Sequence, residues 1–192
     1  MLRYVVLLLP VYVLFRLAYL MLRRQKPAWS CELLFALCAA YGIALVSQTL
    51  LPSSVYGIED LEIYVQTITG GYRSYNLIPM NTIGAYLFTQ NDRVSDWGSV
   101  ALLNLSANVA LFVPLGLLAP ITGERFRRLR SVLTLGLAVT LAIEIGQFLI
   151  GRSADVDDVM LNVLGAGIGY GLWVLVQRMR RVPQPAEVTE SA

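Results

Sequence analysis

Five long apolar runs, separated by short charged connections, dominate the chain. Residues 4–22 form the first, with Arg16 inside it; residues 33–51 and 99–120 carry no charge. Residues 131–150 are interrupted only by Glu144, and residues 157–177 are charged only in their first turn. A run of about 20 apolar residues matches the hydrocarbon thickness of a bilayer, and only a helix satisfies its own backbone there. The pattern predicts an all-α, polytopic transmembrane helix bundle of about five spans. Residues 52–98 break it. LPSSVYGIEDLEIYV is mixed and turn-rich, TGGYRSY is a Gly-Gly break among tyrosines, and NLIPMNTIGAYLF (76–88) is apolar but too short to span. That last piece predicts an interfacial or re-entrant segment. Loops beyond about 15 residues are usually functional or disordered, and the aromatic and apolar content here argues for order.

The expected organisation is therefore two N-terminal transmembrane helices over 1–51, an extracytoplasmic loop over 52–98, a three-helix core over 99–177 and a cytoplasmic tail over 178–192. The tail from Pro183, PQPAEVTESA, reads as disordered. Residues 1–22 resemble a signal peptide in position only. The apolar run is long, Arg16 interrupts it and no small-x-small cleavage site precedes RRQKP, so it reads as a retained span with Arg16 snorkelling toward an interface.

Composition agrees. The chain has 192 residues, 56% hydrophobic and 15% charged, where soluble domains carry about a quarter charged residues. A net charge of +2 is too small to argue for nucleic acid. The positions of the basic residues carry more information. Arg23, Arg24 and Lys26 follow the first run, Arg125, Arg127, Arg128 and Arg130 follow the third, and Arg178, Arg180 and Arg181 follow the fifth. With five spans these share one side, and Arg3, Arg73, Arg93 and Arg152 lie on the other. The bias of Lys and Arg toward cytoplasmic connections then places the N-terminus outside and the C-terminus in the cytoplasm, as in a multi-pass membrane protein. There is no histidine, which excludes Ser-His-Asp and Cys-His nucleophiles and histidine metal ligands. Cys31 and Cys38 stand about 10 Å apart along one helix, too far for a disulfide, and read as packing residues. No metal or other cofactor is expected.

Polar residues inside spans are costly and tend to be functional. Asn104 and Asn108 share a face of the third run, about 8 and 14 Å below the outer surface at 1.5 Å per residue. Glu144 and Gln147 share a face of the fourth, about 10 and 6 Å below the same surface, and Asn162 lies about 8 Å down the fifth. These depths coincide. With Arg152, Asp155, Asp157 and Asp158 at the adjoining turn, they form a candidate polar cluster open to the outside, and Arg73 and Asn76 are candidate contributions from the loop. Each has a plainer role. One aspartate can cap the fifth helix, Arg152 can pair with another or with lipid phosphate, and Asn104 and Asn108 can join helices by hydrogen bonds. Gly165 and Gly169 are spaced for close helix packing, and Pro114-Leu-Gly116 marks a kink. Glu144 must be protonated, paired or hydrated, and reads as a proton-handling or ligand-binding group.

Several of these motifs resemble the VanZ-like family of bacterial membrane proteins: Asn76-Leu-Ile-Pro79 followed by Thr82-Ile83, Asn104-x3-Asn108-x5-Pro114-Leu-Gly116, and Glu144-x2-Gln147. The most specific is Gly151-Arg152-Ser153-x-Asp155-x-Asp157-Asp158-x3-Asn162-x2-Gly165-x3-Gly169. The resemblance covers residues 76–170. Ala107 departs from the family's usual glycine and Met80 from its usual aromatic. The family is named for a protein conferring low-level teicoplanin resistance, so the resemblance implies a cell-envelope role and supplies no reaction. The leading expectation is binding of an envelope ligand in an outer pocket: a lipid-linked cell-wall precursor, a phospholipid headgroup or a glycopeptide. The alternatives are a membrane enzyme modifying a lipid or cell-wall precursor, a non-catalytic scaffold in which the polar cluster only specifies packing, and a transporter, for which the inverted repeats are missing. The partners expected are membrane lipids.

Overall fold

The computed structural model describes residues 2–22, 28–50, 74–89 and 96–180. Expectations for Arg23, Arg24, Lys26, Arg73, Arg93, Arg181 and the tail from Pro183, and for most of the 52–98 loop, fall outside these residues. Five of the described helices are long and apolar enough to cross a membrane. They are α1 (Leu2–Leu22), α2 (Trp29–Thr49), α4 (Trp97–Thr122), α5 (Leu129–Leu149) and α6 (Val156–Arg180). Between α2 and α4 lie a two-residue strand, β1 (Tyr75–Asn76), and the short helix α3 (Asn81–Phe88). A 3-10 turn at Glu124–Arg127 joins α4 to α5. A second two-residue strand, β2 (Ala154–Asp155), precedes α6.

The helix bounds differ from the apolar runs by a few residues, and at one of them the difference brings in a charge. The second helix starts at Trp29, so it includes Glu32 in its first turn, a carboxylate that an apolar window opening at residue 33 leaves out. It pairs with Arg16 of α1 through two hydrogen bonds, Nε to Oε2 at 2.8 Å and Nη2 to Oε1 at 3.1 Å. Arg16 is therefore held by a neighbouring helix, a correction to the snorkelling expected of it. The fork of a guanidinium matches a carboxylate with two parallel bonds, and the pair removes two charges from the apolar surface together. The third span runs unbroken through Pro114 and Pro120.

The largest helix interface is α4 against α6, and glycine makes it. A Cβ at Gly165 would overlap the carbonyl oxygen of Val109, one at Gly169 that of Val113, and one at Gly116 that of Ala166. Without aqueous driving force between apolar faces, helices in a bilayer gain from backbone approach, and small residues permit it. Two apolar clusters flank this seam. Leu45, Phe112 and Ile143 pack with Tyr41, Leu50 and Val139, and Ala119, Val132 and Ala166 pack with Leu135, Phe126 and Tyr170. The connectivity puts the C-terminal ends of α2 and α5 beside the N-terminal ends of α4 and α6. The polar residues lie at that end.

Candidate functional site

The turn from α5 to α6 is the anchor of the site. Gly151 takes φ 78, a left-handed conformation favouring glycine, and the Arg152 N–H donates to the Gln147 carbonyl at 2.9 Å. The chain then extends as β2 and pairs in parallel with β1, Tyr75 opposite Ala154 and Asn76 opposite Asp155. This pairing brings the apolar segment of the 52–98 loop onto the end of the bundle. The segment is a helix lying over the end of the spans.

Each carboxylate has its own task. Asp155 precedes the first residue of α6 and its Oδ1 accepts the Asp157 N–H at 2.9 Å, an N-cap. The same Oδ1 accepts from Asn76 Nδ2 at 3.1 Å, and Oδ2 accepts from the Thr82 hydroxyl. Asp157 is fully buried and caps a different helix. Its Oδ1 accepts the Met80 N–H at 2.6 Å, and its Oδ2 accepts the N–H groups of Thr82 at 2.8 Å and Ile83 at 3.0 Å. These are the orphan donors at the start of α3, and a negative charge there also meets the positive end of the helix dipole. Met80 sits at φ 66, the only left-handed non-glycine among the described residues, which aims its N–H at Asp157. Glu144 accepts the Asp155 N–H at 2.8 Å through Oε2. It is buried and holds the turn. Asp158 accepts from Asn108 Nδ2 through Oδ1, and its other oxygen is engaged by no described residue.

The amides join helices. Asn104 Nδ2 donates to the Tyr86 hydroxyl at 3.2 Å, and Tyr86 stacks on Trp97 with centroids 5.2 Å apart. Gln147 Nε2 donates to the Thr49 carbonyl at 3.1 Å, and Arg152 Nη1 to the same oxygen at 2.7 Å. Among the described residues Arg152 makes no ion pair, so the expected partnership with an aspartate is replaced by a tie to the end of α2. One of its five donors is spent there. Asn162 Nδ2 donates to Thr140 Oγ1 at 2.8 Å, and its buried Oδ1 has no partner.

Beside this network lies a groove of about 940 Å³. Seven of the nine cluster residues line it: Asn104, Asn108, Gln147, Arg152, Asp155, Asp157 and Asp158. Glu144 and Asn162 lie behind its wall, and Asn76 braces Asp155 and Thr82 from outside it. The wall continues along Tyr41, Ala44 and Leu45 of α2 and along Ala107, Leu111 and Pro114 of α4. From Asn104 to Pro114 the groove descends about 15 Å at 1.5 Å per residue, half the thickness of a hydrocarbon core. It is a slot with a polar mouth and an apolar flank.

Sequence reasoning missed Thr49, Thr140 and Tyr86. Thr49 contributes a backbone carbonyl, which no residue type betrays. Thr140 is a lone hydroxyl in a span, ordinarily satisfied within its own helix. Tyr86 carried a weak signal as the one tyrosine in the interfacial segment. The chain matches no curated protein and no solved structure. A family model described as VanZ/LLP1 matches residues 38–177, a region that holds α2 from Cys38 onward, the docked α3 and the whole α4–α6 core, and the chain belongs to the VanZ-like family.

Proposed function

We propose that this multi-pass membrane protein resides in the bacterial cytoplasmic membrane, groove end outward, and holds the head of a lipid-linked envelope ligand in the groove. We propose further that this binding contributes to resistance against teicoplanin-type glycopeptides. The observation that carries the reading is the continuity of the slot, from a mouth with unspent hydrogen-bonding capacity to an apolar wall reaching bilayer depth. Arg152 offers its remaining guanidinium donors to an anionic group, and the free oxygen of Asp158 accepts from an amine or hydroxyl. Asn104 and Asn108 add neutral donors and acceptors suited to sugar or peptide. The flank along α2 and α4 suits an acyl or polyprenyl chain. Among the described residues, Arg125, Arg127, Arg128, Arg130, Arg178 and Arg180 at the opposite end of the spans support the outward orientation.

The donor set favours binding over metal-assisted catalysis. Asp155, Asp157 and Glu144 direct oxygens at protein N–H and O–H groups, and Asp158 keeps one oxygen that no described residue engages. A scaffold role explains the hydrogen bonds among these residues but leaves the remaining donors of Arg152 and the second oxygen of Asp158 without a task.

The test is a deletion strain measured for teicoplanin susceptibility and complemented with the wild type, Glu144→Gln, Asp158→Ala or Arg152→Gln at matched expression. Deletion raises susceptibility. The wild type and Glu144→Gln restore tolerance, because a glutamine oxygen still accepts the Asp155 N–H, whereas Asp158→Ala and Arg152→Gln do not. Unchanged susceptibility on deletion, or full rescue by Asp158→Ala, overturns the proposal.

A further inference from the structure

The opposite end of the bundle carries a second concavity, of about 480 Å³, lined by Pro120, Ile121, Arg127, Trp173, Gln177 and Arg178 among others. The Tyr170 hydroxyl donates to the Arg127 carbonyl at 2.9 Å and fixes the 3-10 turn against α6. We propose that this concavity is a binding site for an anionic glycerophospholipid, its phosphate held between Arg127 and Arg178 and its acyl chain lying against Ile121 and Val174. The site is separate from the groove and independent of the function proposed for it.

Depth places the concavity at a lipid headgroup. From Val156, α6 rises about 26 Å to Trp173 and about 33 Å to Arg178 at 1.5 Å per residue. A hydrocarbon core of about 30 Å then puts the indole at the interface, where tryptophan concentrates, and the guanidinium among phosphates. Charge points the same way. Arg125, Arg127, Arg128, Arg130, Arg178 and Arg180 gather at this end against two described acids, Glu124 and a Glu32 already paired with Arg16. Such an excess offsets the partial negative charge of the helix C-termini that converge there. Glu124 is a weak competitor: its pair with Arg127 is 3.3 Å long and both side chains are mostly exposed, the kind of surface pair that contributes little. A phosphate offers both arginines a bidentate acceptor, and basic pockets between spans are a recurrent setting for acidic lipid heads.

The experiment uses the full chain, delipidated in detergent and titrated with phosphatidylglycerol or phosphatidylcholine, with retained lipid counted by native mass spectrometry. The wild type retains phosphatidylglycerol in preference. The double substitution Arg127→Gln with Arg178→Gln lowers that retention about 30-fold, the size expected of two surface arginines, while Arg125→Gln with Arg130→Gln preserves it. Equal retention of phosphatidylcholine, no loss in the Arg127/Arg178 variant, or displacement by soluble glycerol phosphate overturns the proposal. Should the double variant fail to fold, a second measurement decides. Brominated phosphatidylglycerol quenches the tryptophan emission of the wild type more than brominated phosphatidylcholine does, and Trp173→Phe abolishes the difference. Quenching without headgroup selectivity overturns the site.

Discussion

Asp157→Asn isolates the bond set that docks α3. The wild-type carboxylate receives three backbone N–H groups, two on Oδ2 and one on Oδ1. An amide placed with its oxygen toward Thr82 and Ile83 turns its NH2 toward the Met80 N–H, donor against donor. One charge-assisted bond is lost and the other two become neutral. With such bonds worth about 1.5–3 kcal/mol each and neutral ones about half that, the cost is about 3–6 kcal/mol. It falls locally, because α3 buries none of its residues and leaves Leu87 and Phe88 exposed, so packing does little to retain it. Hydrogen–deuterium exchange of the full chain in detergent reads the effect. At 1.4 kcal/mol per tenfold, exchange at residues 80–83 accelerates about 100- to 20,000-fold, up to the limit of the protection those amides have. Amides along the α4–α6 seam keep their protection, since Asp155 still caps α6. Unchanged protection at 80–83, or a loss spread equally over the seam, would refute the capping argument.

Other substitutions probe the bundle. Gly165→Ala or Gly169→Ala places a methyl on a facing carbonyl and destabilises the α4–α6 seam by about 1–3 kcal/mol or more, read as a lower melting temperature in detergent. Gly171→Ala meets nothing within 4 Å and serves as the control, neutral or stabilising by its gain in helix propensity. Thr140→Val strands the Asn162 amide and costs about 1–3 kcal/mol; Asn162→Leu added to it recovers part of the loss, and strict additivity of the two would show that they do not interact. Arg16→Glu and Glu32→Arg each lower the melting temperature singly, and the swapped pair restores it; a swap no better than either single change would deny that the ion pair joins α1 to α2.

The spans were legible because a bilayer demands about 20 apolar residues and tolerates few exceptions. Gly165 and Gly169 announced close packing by their spacing, and the structure gives each an opposing carbonyl. The aspartates were legible as a group and opaque as individuals. Helical spacing puts Asp157 in the first turn of α6, where a local cap is the economical reading, yet its oxygens reach the start of a helix some 75 positions earlier. That contact depends on the β1–β2 pairing, and two-residue strands leave no periodic trace in a sequence. Glu32 was missed for the opposite reason: an apolar window begins where charge ends, and this carboxylate sits inside the first turn of its helix. Thr82 was visible only as part of a motif, and Asn76 also as a candidate contribution from the loop. Their side chains bond each other and Asp155, which gives that motif a physical meaning as the clasp between the loop and the bundle.

The same stripe of α6 builds both the seam and the site. Asp158, Asn162, Gly165 and Gly169 follow one another at helical spacings of four, three and four, so they share a face. The glycines bring α4 close at Val109 and Val113. Asn108, one residue before Val109, is thereby carried within hydrogen-bonding distance of Asp158. A wider helix separation would leave that carboxylate buried without its donor, a costly state in an apolar surrounding. The glycines deeper in the membrane therefore sustain the bond between Asn108 and Asp158 at the groove, and Glu144 and Asp157 hold the turn and α3 on either side of it. Of the four carboxylates, Glu144, Asp155 and Asp157 accept hydrogen bonds that hold the turn and α3, and Asp158 alone bonds across the α4–α6 seam.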